Sequence, residues 1–160
     1  MKKTLTTFAA LAVLTVAAHA DTALHTYQQQ AKALLINLEN KGADIESESA
    51  QLVSTSLPIV NAFIEKYPQC TEYLTALKNA ANVIPTLPLD EIESGYHADG
   101  KLPKFDDANC YHAKDLLVHP ATVQAMAAQG IKTDKEWKSA QHEIAEVLGH
   151  FSAVEAAMAH

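Results

Sequence analysis

Apolar residues recur every three or four positions along most of this chain, the spacing of helices that each bury one side. Leu24, Tyr27, Ala31, Leu34, Leu35 and Leu38 trace the first stripe, and Gly42 after Lys41 marks its stop, predicting a helix over residues 21–42. Asp44 is placed to cap a second helix, whose inner face runs Ile45, Ser49, Leu52, Ser56, Ile59 or Val60, Phe63 and Tyr67. Pro58 in its middle predicts a bend. Pro68 suits the first turn of a third helix carrying Cys70, Tyr73, Leu74, Leu77, Ala81 and Ile84 on one side. A fourth covers residues 110–130. The fifth begins at Thr133, which forms a capping box with Glu136, and buries Trp137, Ala140, Ile144, Val147, Leu148, Phe151, Val154 and Met158. The expected architecture is all-α, a single-domain helical bundle of about five helices.

Residues 85–109 break the pattern with three prolines, two glycines and six acids. A connection this long is uncommon in a compact domain unless it is functional or mobile. Leu87, Leu89, Ile92, Tyr96, Leu102 and Phe105 supply anchors, so a long ordered loop covering the bundle is expected. Asp90, Glu91, Glu93, His97 and Asp99 give it many oxygen and nitrogen donors, in no EF-hand order; a polar loop with turns at Gly95 and at Asp99-Gly100 accounts for them better than a calcium site.

The start of the chain changes the compartment. Lys2 and Lys3, an apolar stretch from Leu5 to Ala18, and the small-x-small triplet Ala18-His19-Ala20 read as a signal peptide over residues 1–20, cleaved near Ala20-Asp21. The mature domain is then 21–160, periplasmic or secreted, with no later run long enough for a membrane span. It keeps ten lysines and no arginine against 19 acids, a net charge of −9. Such a balance excludes nucleic acid as a partner and suits solubility or attraction of cations. Cys70 and Cys110 are the only cysteines, and export favours one disulfide between them. Closing a loop of that length contributes about 4 kcal/mol if no strain is imposed.

Candidate chemistry centres on CYHAKDLLVHPATVQAMAAQG, residues 110–130. At roughly 100° per residue, His112, Leu116, His119 and Val123 share one narrow arc, so both imidazoles point inward. Pro120 disfavours helical geometry at His119, and a kink or restart is expected there. On the last helix, Glu143 and His150 flank the buried face, while His142 and Glu146 lie almost opposite it; the segment is not HExxH. His25 falls on a solvated side. His112, His119, Glu143 and His150 are therefore the candidate ligands for a transition metal or haem within the bundle. Two histidines seven positions apart are roughly 10 Å apart along the axis, too far to share one ion unaided. Nor is there a CxxCH for covalent haem.

No G-x-S-x-G, glycine-rich phosphate loop or dinucleotide fingerprint is present, and the spacing of histidines and acids selects no reaction. An exported binding protein rather than an enzyme is expected. The alternative is an interaction or adaptor protein, a homodimer or the partner of another periplasmic protein, in which small-residue segments at 121–130 and 153–160 mediate helix contacts and the histidines are structural.

Overall fold

The computed structural model describes residues 9–105 and 107–159, with side chains from Thr22 onward. Six α-helices and no strand occur among them: α1 (Ala9–Glu39), α2 (Ile45–Lys66), α3 (Thr71–Ala80), α4 (Leu89–Ile92), α5 (Ala108–Gln129) and α6 (Asp134–Ala159). The backbone of α1 begins well before the expected helix start. The expected leader, 1–20, and its cleavage point lie outside the residues whose side chains are described.

The four long helices form a ring in the order α1, α2, α5, α6, with α6 returning against α1. Contacts at the two ends fix their directions. The Lys41 ammonium at the end of α1 pairs with Asp134 at the start of α6. At the opposite end, Lys66 Nζ and the Tyr67 hydroxyl donate to the carbonyls of Met158 and Ala157 in the last turn of α6, at 2.7 and 2.8 Å. Cys70 and Cys110 lie at disulfide distance at this same end, Cα to Cα 5.6 Å, joining the start of α3 to the start of α5. The topology is up-down-up-down. Among the described residues no helix is long and apolar enough to cross a membrane.

Local capping follows the sequence in part. Thr133 Oγ1 accepts from the Glu136 amide, and Glu136 Oε2 accepts from the amides of Thr133 and Lys132, completing the expected box. Asp44 does not cap α2. It sits in the left-handed region at φ 65°, and its side chain makes no cap hydrogen bond. Asn37 bridges this turn instead, donating to the Ala43 carbonyl and to Glu48.

The segment expected as loop contains helical pieces, which is why the count is six rather than about five. A 3-10 turn (Ile84–Thr86), α4 and a π-helical turn (Glu93–His97) follow one another before α5. Each is too short for a periodic stripe to show. The chain then folds tightly: the Gly100 and Lys101 amides donate to the Ser94 and Gly95 carbonyls, and a Cβ on Gly100 would stand 2.4 Å from Ser94 O, so only glycine fits.

α5 does not restart at Pro120. It runs unbroken to Gln129. Proline cannot supply the amide that Leu116 O would otherwise receive. The Tyr27 hydroxyl of α1 donates to that carbonyl at 2.6 Å, while its ring stacks on Phe151 of α6. Residues 113–123 of α5 are all buried.

Candidate metal centre

The polar residues of α5 follow one side of the helix one turn at a time: His112, then Asp115, then His119. Facing them, α6 presents Glu143, Glu146 and His150, again at intervals of three and four. Because α5 and α6 are antiparallel neighbours, the early residues of one meet the late residues of the other. The π-helical turn adds His97. It is held there by Lys114, whose fully buried Nζ donates to the His97 carbonyl and to Asp99 Oδ1, both at 3.0 Å, and lies over the Tyr111 ring. Asp99, itself at φ 59°, also accepts from the Tyr73 hydroxyl at 2.8 Å. One buried ammonium thus buttresses the turn against α5.

Asp115 occupies the middle of the cluster and is 1% exposed. Its Oδ2 lies 3.4 Å from His150 Nε2, and its Oδ1 lies 4.0 Å from His119 Nε2 and 3.4 Å from Lys114 Nζ. Neither oxygen has a hydrogen bond of good geometry among the described residues. A buried carboxylate is ordinarily saturated with donors, and leaving one without them is destabilising by about 1–3 kcal/mol or more.

The far nitrogens of the same two imidazoles are taken. His119 Nδ1 stands 2.7 Å from Glu143 Oε2, and since a carboxylate only accepts, the imidazole donates there. In its neutral form His119 therefore turns an Nε2 lone pair toward the Asp115 oxygens. His150 Nδ1 meets His112 Nδ1 at 2.8 Å, one donating to the other. His119 and His150 stack with ring centroids 5.3 Å apart, and the Asp115 oxygens face the Nε2 of each. Asp115, His119 and His150 each offer a ligand atom, all within 4.8 Å of one another. Metal–ligand bonds of about 2.0–2.1 Å imply tetrahedral edges of about 3.3 Å, so a modest contraction would close this set on one ion.

On the other side of His119, His97 Nε2 lies 3.7 Å from Glu143 Oε2 and 3.0 Å from Thr122 Oγ1, and its ring meets the His119 ring edge-on at 4.8 Å. Glu146 reaches from the rim, its Oε2 3.8 Å from His119 Nδ1. Asp99 and Asp115 flank the Lys114 ammonium while Glu143 and Glu146 lie against His119, so among the described residues four carboxylates stand beside one ammonium and the cluster is negative.

The imidazoles respond unequally. Burial pulls His119 down, but the Glu143 hydrogen bond and the charges of Asp115, Glu143 and Glu146 outweigh it, leaving its pKa above the ordinary histidine value. Burial lowers His97 and His150, with nearby carboxylates offsetting only part of the effect. The Tyr111 hydroxyl is pushed up to about 12 by burial and then by the charge and proximity of Asp115.

Of the residues singled out in the sequence, His119, Glu143 and His150 meet as expected. His112 joins them through His150, Nδ1 to Nδ1 at 2.8 Å, and belongs to neither three-donor group. His142 is solvent-exposed, as is His25. Glu146 combines exposure with a reach to His119. Asp115, Lys114 and Thr122 were not anticipated, and His97 only as one of many loop donors. Asp115 carried a legible signal, since a carboxylate one turn before a buried histidine shares its side of the helix. No family model, curated protein or solved structure matches this chain, so its chemistry rests on the geometry of this cluster.

Proposed function

We propose that this is an exported helical-bundle protein that binds a divalent first-row transition metal through Asp115, His119 and His150. The observation that carries the reading is the buried Asp115 carboxylate, which has the Lys114 ammonium 3.4 Å away but accepts no hydrogen bond of good geometry, and which faces the Nε2 atoms of two imidazoles whose Nδ1 atoms are already engaged. A lone pair turned toward a buried carboxylate is repulsive, and a cation between them reverses the sign. Glu143 behind His119 and His112 behind His150 then act as the outer partners that fix tautomer and ring orientation in metal sites. Two imidazoles and one carboxylate suit zinc, copper, iron or nickel better than calcium or magnesium. The paired cysteines at disulfide distance support an oxidising compartment.

Haem fits less well. The four imidazoles touch one another at centroid separations of 4.8 to 5.3 Å, with carboxylates between them, which leaves no apolar slot for a porphyrin. The cavity of about 500 Å³ bordered by Ile45, Gln124 and Trp137 is at the opposite end of the bundle, and no histidine lines it.

Calorimetric titration of chelator-treated protein with Zn(II) tests the proposal. One equivalent is expected at this inner set, lost in Asp115→Asn and His119→Ala, weakened about 10–100-fold in Glu143→Gln, and unaltered in His25→Ala. Binding that persists unchanged in both Asp115→Asn and His119→Ala overturns the assignment.

A further inference from the structure

We infer that His119 is a bridging ligand, and that a second transition-metal ion binds on its Nδ1 side between Glu143 and His97, making the centre dinuclear. The inference rests on the proposed inner site and extends it. Both nitrogens of the His119 ring face metal-ligating groups: Nε2 faces Asp115 and His150, while Nδ1 faces Glu143 at 2.7 Å and Glu146 at 3.8 Å. His97 Nε2 completes the outer set at 3.7 Å from Glu143 Oε2, and the ligand atoms of His97, His119 and Glu143 all fall within 4.8 Å of one another. The outer set therefore has three protein donors, with Glu146 at its open rim as a fourth. It lies nearer solvent than the inner set, since the Glu146 side chain is 43% exposed and that of Asp115 is 1% exposed.

The chemistry balances without an oxidant or reductant. With the inner ion alone, the His119 Nδ1 proton is donated to Glu143. The second ion takes the position of that proton, Nδ1 becomes a ligand, and the proton leaves to solvent or buffer, so the bridging ring is an imidazolate. Thr122 Oγ1 donates to the Val118 carbonyl at 2.9 Å, so in the metal-free arrangement His97 Nε2 is the donor to Thr122. On binding metal the His97 proton moves to Nδ1, a tautomer change that releases no net proton. The surplus of carboxylates compensates the added charge.

Copper(II) is the informative probe, because two copper ions joined through an imidazolate couple magnetically and lose their separate paramagnetic signals. Full-length protein stripped by chelation is titrated with Cu(II) and followed by calorimetry and electron paramagnetic resonance. The expected result is two equivalents bound, with signal intensity rising through the first equivalent and falling through the second. Calorimetry in buffers of different ionisation enthalpy should find one additional proton released with the second ion. His97→Gln should keep the first equivalent and its signal but abolish both the second and the quenching. His97→Ala with unchanged helical circular dichroism should repeat this. Saturation at one equivalent that is lost in Asp115→Asn overturns the bridge and leaves the mononuclear reading standing. A second ion adding its own full-intensity signal overturns it too, while absence of any binding removes both.

Discussion

The two halves of the bundle bury polar groups in opposite ways. On α2, Ser49 and Ser56 are fully buried, yet each hydroxyl donates to a carbonyl of its own helix, Ile45 O and Val53 O, at 2.7 Å. These groups are satisfied before any other helix arrives, so they let neighbours approach without asking anything of them. Across the molecule, His97, His119 and His150 make their hydrogen bonds to other elements, and Asp115 accepts none of good geometry. The serines are thus indifferent to their neighbours, whereas the cluster depends on several elements at once and leaves Asp115 without a hydrogen bond of good geometry.

The largest test of that contrast is Asp115→Asn. In chelated protein it should leave stability unchanged or raise it by up to about 3 kcal/mol, because an amide can donate to an imidazole lone pair while Lys114 keeps Asp99. Urea unfolding with chelator measures this, and a loss above about 1 kcal/mol would mean that Asp115 is structural after all. Tyr27→Phe should come next, destabilising by about 1–2 kcal/mol through the stranded Leu116 carbonyl. In the background of Pro120→Ala, where an amide is restored at position 120, the same change should have a much smaller effect; equal losses in both backgrounds would remove the account of why α5 continues through proline.

A smaller effect concerns pH. The folded-state pKa values of His97 and His150 are depressed, so the unfolded chain takes up protons first as pH falls below about 6.5, and stability present above that value is lost on acidification. His119 has the opposite sign: its raised pKa contributes stability that is present below about 6.5 and is lost as pH rises through the folded value. Metal-free His150→Gln should therefore lose less stability than wild type between pH 6.5 and 5, read from urea midpoints; an identical acid limb would contradict the depressed value. Smallest of all, Ser49→Ala should shift stability by no more than about 0.5 kcal/mol, because its hydroxyl serves only its own helix.

The long helices were legible because each of their stripes is several turns long. The crossover was not, since four residues at Leu89–Ile92 cannot display a period and the π-helical turn is fixed by Lys114 from another element. At the site, His119, Glu143 and His150 were readable from their place beside apolar stripes. Asp115 shares His119's side of the helix, yet it and Lys114 read as surface residues because consecutive charges normally lie in water, and only the enclosure of α5 by the crossover, α2 and α6 puts them inside. The axial gap between His112 and His119 keeps those two apart, and the fold instead brings Asp115 and His150 to His119 while His112 meets His150. Pro120 predicted an interruption because the partner that offsets it, Tyr27, lies 89 positions away from Leu116.

The enclosure of residues 113–123 has an evolutionary consequence. An ordinary amphipathic helix can drift on its wet side while its dry side is held, which gives a tolerance map that oscillates with each turn. Here there is no wet side, so substitutions should be rejected in an uninterrupted block, and any lineage that alters Asp115 or His119 must rebuild the packing around them in the same step.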